Sequence, residues 1–341
     1  MMKRGGLAVL LLIVFGLATP GGAMAVSLSP GGIGDALIFQ LIETNNLDTL
    51  IAIESFIQAT ALHRVRFRDA AIGAVALEFT LCLVPGETFT ARVFRDGSLT
   101  KIESPAPHLI NGVSSVLTTT LTGSPTRAFM EVIGLRAILG GTPNTTVCTD
   151  STIGGDVPNA ALMGKAYFVN GGQSPPLVYS ANAVALKDFA AAKIDDGTVL
   201  QNNGVAEALI AQGAGTPGLQ SVAFGTRYFV PTSFDAATQV VLTFPTGPTS
   251  GPCPSCRVPS NLSISPRTEP GVALTPIVLP ADTSLVRVIS LSSSDIANDA
   301  GVLAINDSGG FFPTPLVGFG INTTATSASL FFNALFPLNI F

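Results

Sequence analysis

The sequence predicts an all-β protein built as two immunoglobulin-like β-sandwich modules, with one or two short helices. Three observations carry that expectation. Short segments alternate apolar and polar residues and recur with turn signals between them, as the strands of antiparallel sandwiches do. The chain holds 35 Gly and 24 Pro, too many breakers for long helices. No coiled-coil heptad and no strict internal repeat runs through it.

The elements follow in order. Lys3 and Arg4, the apolar run 7–17 and the small-x-small site Ala23-Met24-Ala25 read as a secretory signal over 1–25, so the mature chain is expected to start at Val26. The run is short for a membrane span of about 20 residues, and Pro20-Gly21-Gly22 breaks it, which favours cleavage over an anchor. Next, "GDALIFQLIETNNLDTLIAIES" places two apolar runs around Asn45-Asn46. It reads as a β-hairpin: a buried strand over 35–42, a turn at Thr44-Asn45-Asn46 and a second strand over 49–56. In "HRVRFRD", Val65 and Phe67 face one way and Arg64, Arg66 and Arg68 the other. In "AVALEFTLCLVPGETFTARVF", Val75, Leu77, Phe79, Leu81 and Leu83 share one face, Pro85-Gly86 turns the chain, and 89–94 returns as a strand.

Further strands are expected over 115–121, 128–139, 165–169, 221–230, 238–244, 285–291, 301–305, 316–321 and 327–332. Ala183, Leu186, Phe189 and Ala190 recur at helical spacing, which predicts a helix near 182–194, and a second is expected over 205–212. The modules are expected to be 26–115 and 116–341. The Pro- and Gly-rich segment 246–276 reads as a long irregular crossing.

The stretches "GDALIFQLIETNNLDTLIAIESF", "VRFRDA", "EFTLCLVPGETFTARV", "MEVIGL", "YSANAVAL", "VVLTFPTG" and "PLVGFGI" occur in this order over nearly the whole mature chain. The order resembles a group of uncharacterised exported bacterial β-sandwich proteins. The resemblance implies export, a sandwich fold and a bacterial source. It implies no catalytic residue, because the shared motifs are strand cores and turns.

Composition narrows the function classes. Charged residues make up 11% of the chain, against about 25% in a typical soluble domain. The net charge of −5 argues against nucleic-acid binding. Weak charge repulsion suits a structural or assembling protein outside the cell, and the apolar tail 330–341 is a candidate strand for self-assembly. The same tail also reads as the last strand of its own sandwich. It ends in Phe, but Pro337 interrupts its alternation and repeated amphipathic strands are missing, which argues against an outer-membrane barrel.

Chemistry-bearing residues are few. The chain has four Cys (Cys82, Cys148, Cys253, Cys256), and an even count in an exported chain favours disulfides, with the pairing left open. Cys253-Pro-Ser-Cys256 sits among Pro and Gly, so it reads as a loop staple rather than a redox or zinc motif. Cys82 lies on the face opposite the apolar set of its strand, so it is either covered by another segment or bonded to a cysteine brought over that face. The two His, His63 and His108, read as surface or turn residues, since no nucleophile motif accompanies either.

Asp195-Asp196 and Asp295/Asp299 are the closest carboxylate pairs in sequence, and the chain has no Trp and three Tyr, which counts against a glycan hydrolase. The same loops gather oxygens that suit calcium, yet neither matches the EF-hand spacing, so no cofactor is expected and calcium is the one candidate ion. Arg64, Arg66 and Arg68 stand about 7 Å apart along one strand. They read either as a strip gripping an anionic polymer or as a solvated face paired with Glu78. The expectation is a non-enzymatic, exported envelope or extracellular protein that contacts other envelope proteins or surface polysaccharide. The alternative is a carbohydrate- or ligand-binding module, with a glycan hydrolase third.

Overall fold

The computed structural model describes residues 27–29, 31–57, 59–139, 148, 161–170, 177–187, 223–230, 236–244, 262–267, 274–292, 294–296, 300–307, 316–324, 333–334 and 336–337. Every element among the described residues is a β-strand, so the all-β expectation holds. No helix among them is long and apolar enough to cross a membrane.

The first fourteen strands are β1 (Ser27–Leu28), β2 (Ala36–Glu43), β3 (Asp48–Ser55), β4 (Ala59–Asp69), β5 (Val75–Leu83), β6 (Thr88–Asp96), β7 (Leu99–Glu103), β8 (His108–Ile110), β9 (Val113–Ser115), β10 (Thr118–Thr120), β11 (Arg127–Leu139), β12 (Leu162–Asn170), β13 (Leu177–Asn182) and β14 (Val184–Lys187). They form two sheets. Sheet I has the order β1-β14-β2-β11-β4-β5-β8-β9, and sheet II the order β10-β7-β6-β3-β12-β13. Neighbouring strands pair antiparallel. The two sheets stack over Leu37, Phe39, Ile53, Val65, Phe79, Phe89, Val132 and Phe168, all buried. Sheets of eight and six strands exceed the seven to nine strands in all that an immunoglobulin-type domain uses, roughly.

The opening segment is a correction to the hairpin expectation. β2 lies in sheet I between β14 and β11, and β3 lies in sheet II between β6 and β12. The chain therefore arches from one layer to the other. Asn46 takes the left-handed backbone the turn needs, with φ 63°. Thr49 closes the arch: its Oγ1 donates to the Glu43 carbonyl at 2.7 Å and accepts from the Glu43 amide at 3.0 Å. The reason is in the burial. Every residue of β2 is buried, while β3 alternates buried with more open positions. A strand that is apolar on both sides belongs between layers, and an alternating strand belongs where one face is open.

Three other expectations are corrected. No change of sheet occurs near residue 115, because β10 to β14 all join sheets I and II. The helix expected from 182 is strand through Lys187: β14 pairs with β2, and Ala185 and Leu186 are buried in that pairing. Small residues at helical spacing served here as the flat packing surface of a strand. The rest of that stretch and the helix over 205–212 lie outside the described residues. Val75 does not share the inner face. A bulge opposite Phe67 and Arg68 shifts the register of β5 and leaves Val75 exposed while Ala76 is buried.

The later strands are β15 (Ala223–Phe229), β16 (Ala236–Thr243), β17 (Leu262–Arg267), β18 (Ile277–Val278), β19 (Val286–Ser292), β20 (Ala300–Asp307), β21 (Val317–Thr324), β22 (Asn333–Ala334) and β23 (Phe336–Pro337). Sheet III runs β18-β17-β20-β15-β23 and sheet IV β19-β16-β21-β22. Val240, Leu242, Leu262, Ile305 and Ile321 are buried in the core cluster they share with the first sheets. The tail is intramolecular where it is described, since β22 pairs with β21 and β23 with β15. Residues 327–332 lie outside the described residues.

The two halves join at one end of the first sandwich. Thr243 donates its hydroxyl to the Gln40 carbonyl of β2. The Leu285 amide donates to the Ala70 carbonyl at 2.6 Å. The Phe319 ring of β21 lies 6.4 Å from that of Phe168 in sheet II.

Gly164 of β12 sets how closely the first two sheets approach. A Cβ placed there would meet the Phe39 ring at 2.5 Å and Leu37 Cδ1 at 2.9 Å. Gly164→Ala is expected to destabilise the fold by about 1–3 kcal/mol, as overpacked cores do. Phe39→Leu in the same chain should recover part of that loss. Urea denaturation of the two variants checks this, and an unchanged midpoint for Gly164→Ala would mean that Phe39 does not limit the approach.

Candidate functional site

The arginine ladder of β4 is not a solvated face at Arg66 and Arg68, while Arg64 is partly open. Arg66 and Arg68 are 1% exposed. Register explains their partners. Arg66 stands opposite Glu78 of β5 and Glu131 of β11, and Arg68 is one rung further along. Arg66 donates Nε to Glu78 Oε2 at 2.6 Å, and its Nη1 lies 3.8 Å from Glu131 Oε2. Arg68 donates Nε to the same Glu131 oxygen at 2.9 Å and Nη1 to the Gly73 carbonyl at 3.1 Å. Arg64 lies 3.8 Å from Glu78 Oε1. Glu131, at 0% exposed, is thus shared by two guanidinium groups. The pairing with Glu78 was legible in the sequence. The burial was not, because Glu131 lies 63 residues from Arg68 along the chain.

Cys82 lies on this same face and is bonded to Cys148. That settles its odd position opposite the apolar residues of β5: the partner cysteine is brought over the face. Cys253 and Cys256 lie outside the described residues.

Both histidines are buried, which corrects their reading as surface or turn residues. His63 shares the parity of Val65 and Phe67, so it points into the sandwich at 0% exposed. Neither of its ring nitrogens has a hydrogen-bond partner among the described residues. Burial pushes its imidazole down from the ordinary 6.5 to about 4. His108 donates its Nδ1–H to Glu87 Oε1 at 2.8 Å, and its ring meets that of Phe89 edge-on at 5.1 Å.

The loop carboxylates do not form a site among the described residues. Asp295 Oδ2 accepts from the Ser292 amide and hydroxyl, both at 2.7 Å, which is a turn contact. Asp195, Asp196 and Asp299 lie outside the described residues. Among the described residues no three His, Cys, Asp or Glu side chains are grouped to hold a metal ion.

The candidate site is elsewhere, on the outward face of sheet II. A cleft of about 610 Å³ lies over β3, β6, β7, β10 and β12. Its floor includes Leu50, Arg92, Glu103, Thr118 and Tyr167, and its rim Ser104, Pro105 and Val116. These floor residues alternate with buried ones along their strands, as one open face of a sheet requires. The rim is fixed by Ser104, whose Oγ donates to the Ala106 carbonyl at 3.0 Å and accepts from the Leu117 amide at 2.9 Å.

Arg92 organises the floor. It donates Nη2 to Asp48 at 2.8 Å and Nη1 to Glu103 at 3.2 Å, and its guanidinium lies 4.2 Å over the Phe94 ring. Burial works against its charge, but the hydrogen bonds and attraction of Asp48 and Glu103 outweigh it and hold the guanidinium above its ordinary value. Its side chain stays 43% exposed, so it is positioned yet reachable. Beside it, Lys165 lies 5.2 Å from the Tyr167 ring centre. Arg92 and the arginine ladder lie in different sheets, β6 in sheet II and β4 in sheet I. Nothing in the strand patterns separated these outward residues from any other solvated face.

Comparison with family models, with curated proteins and with solved structures finds no match for this chain.

Two predictions follow from the buried charges. Glu131→Ala should lower stability by about 3–5 kcal/mol, because it strips two buried guanidinium groups of their shared partner. Asp96→Asn breaks only the exposed pair with Lys101 and should leave the denaturation midpoint in place. Equal losses for the two would contradict the role given to burial.

His63 adds a pH dependence. Between pH 6.5 and pH 4 the unfolded chain binds a proton that the folded one refuses, so stability falls as pH drops through that window, by up to about 3 kcal/mol. His63→Leu should remove that part of the slope. Denaturation midpoints of both proteins from pH 7 to pH 4 test it, and parallel curves would refute it.

Proposed function

We propose that this chain is an exported, non-enzymatic β-sandwich protein of the cell envelope or extracellular space that acts by binding a surface partner through the open face of sheet II. The observation that carries the reading is the contrast between the two large sheets. Sheet I is buried on its outward side at Arg66, Arg68, Ile38, Phe129 and Glu131. Sheet II keeps its outward side open and holds the 610 Å³ cleft there. Pockets with an apolar floor and a few fixed polar groups are where proteins bind ligands.

Export is supported by the signal pattern over 1–25 and by the Cys82–Cys148 disulfide, a bond that persists in oxidising compartments. Binding is favoured over glycan hydrolysis by the ion pairing of the acids beside Arg92. A glycosidase needs one carboxylic acid that keeps its proton to protonate the leaving group. Asp48 and Glu103 are instead both paired with Arg92, at 2.8 and 3.2 Å, so neither stands free to act on a glycosidic oxygen.

In the cells that naturally make it, the exported protein should begin at Val26 or within a few residues of it by N-terminal sequencing. It should be retained on washed cell envelopes, and Arg92→Ala should release most of it with unchanged circular dichroism. An intact Met1 in the membrane fraction refutes export. Equal retention of wild type and Arg92→Ala refutes the cleft as the binding surface.

A further inference from the structure

We infer that the cleft on sheet II takes a neutral polysaccharide chain lying across the strands; the inference rests on the binding reading above and names its ligand class. The argument starts from register. Thr118 of β10 stands directly opposite Glu103 of β7, Glu103 opposite Arg92 of β6, Arg92 opposite Leu50 of β3, and Leu50 opposite Tyr167 of β12. The five cleft residues therefore form one straight rung over five adjacent strands. At about 4.8 Å between strands the rung is roughly 19 Å long. A rung of that length fits an extended polymer of several units rather than one small molecule.

The order of side chains along the rung is hydroxyl, carboxylate, guanidinium, aliphatic and aromatic. Sugar hydroxyls both donate and accept, so they need acceptors and donors side by side, which Glu103, Thr118 and Arg92 provide. The C–H faces of a pyranose need flat apolar surface, which Leu50 and the half-buried Tyr167 ring provide. Arg92 is held by two carboxylates and a ring, so its orientation is set before any ligand arrives.

Charge selects among polymers. The one guanidinium of the rung is balanced by Asp48 and Glu103. An anionic chain would meet those two carboxylates, so the floor favours an uncharged one. A polypeptide is disfavoured by geometry. A peptide that adds to a sheet needs a free edge, whereas the rung crosses the face of paired strands whose backbone groups already bond one another.

The test is affinity electrophoresis of the full mature chain through gels containing four soluble neutral glycans: a β-1,3-glucan, hydroxyethylcellulose, galactomannan and glycogen. Polygalacturonate and reduced, alkylated casein serve as anionic and polypeptide probes. At least one neutral glycan should retard the wild type. Tyr167→Ala and Thr118→Ala, both at open positions, should each weaken that retardation, Tyr167→Ala by tenfold or more, with unchanged thermal melting. Retardation by none of the four, by polygalacturonate or casein alone, or equally for wild type and Tyr167→Ala overturns the assignment. If glycans fail while Arg92→Ala still releases the protein from envelopes, only the ligand class falls. If envelope retention is also indifferent to Arg92, the binding reading falls with it.

Discussion

β2 has water on neither side, and the rest of the molecule is arranged to make that so. Its eight residues are all buried. Leu37 and Phe39 face sheet II across Gly164, while Gln40 is tied to Thr243 of the second pair of sheets. Fully burying one large aliphatic or aromatic side chain is worth about 1.5–3 kcal/mol, and this strand contributes five such side chains in a row save for Gln40. A strand of that kind cannot sit at a surface. It forces the arch that sends β3 into the opposite layer, and it puts the later strands in reach of the first sandwich.

The buried ion pairs follow from the same layering. Where sheet I is covered on its outward side, the alternation of β4 leaves Arg66 and Arg68 out of water with Glu131, while Glu78 pairs with Arg66 from the open margin. Such pairs add little net stability, because desolvation offsets their attraction. Their effect is on register. Sliding β4 by one residue would turn three guanidinium groups into the apolar interior, and every rung of the Arg–Glu ladder would be lost. A chain with only 11% charged residues thus places several of them where they oppose misalignment. His63 sits on the other face of the same strand, and it is tolerated in the core because it stays neutral there.

Sheet II is free of these demands on one side. Its strands are held by the shared core, so their outward residues sit on a rigid frame and carry no packing role. A constellation on paired strands is positioned more closely than one on loops. The rung from Thr118 to Tyr167 owes its straightness to strand register alone, and Arg92 owes its pose to one partner on each neighbouring strand.

Local pattern determined much of this in advance. The strand segments, the Asn46 turn, the inward parity of Val65 and Phe67 and the odd placement of Cys82 are all readable from side-chain alternation, since the period of a strand is a property of the backbone. Alternation says which residues share a face. It does not say what covers that face. Whether β2 and β3 pair or part, whether 182–187 is helix or strand, and whether Arg66 and Arg68 meet water or Glu131 depend on partners tens of residues away. The cleft is the extreme case. Its five floor residues come from five strands between positions 50 and 167, and only strand order in the finished sheet puts them on one line.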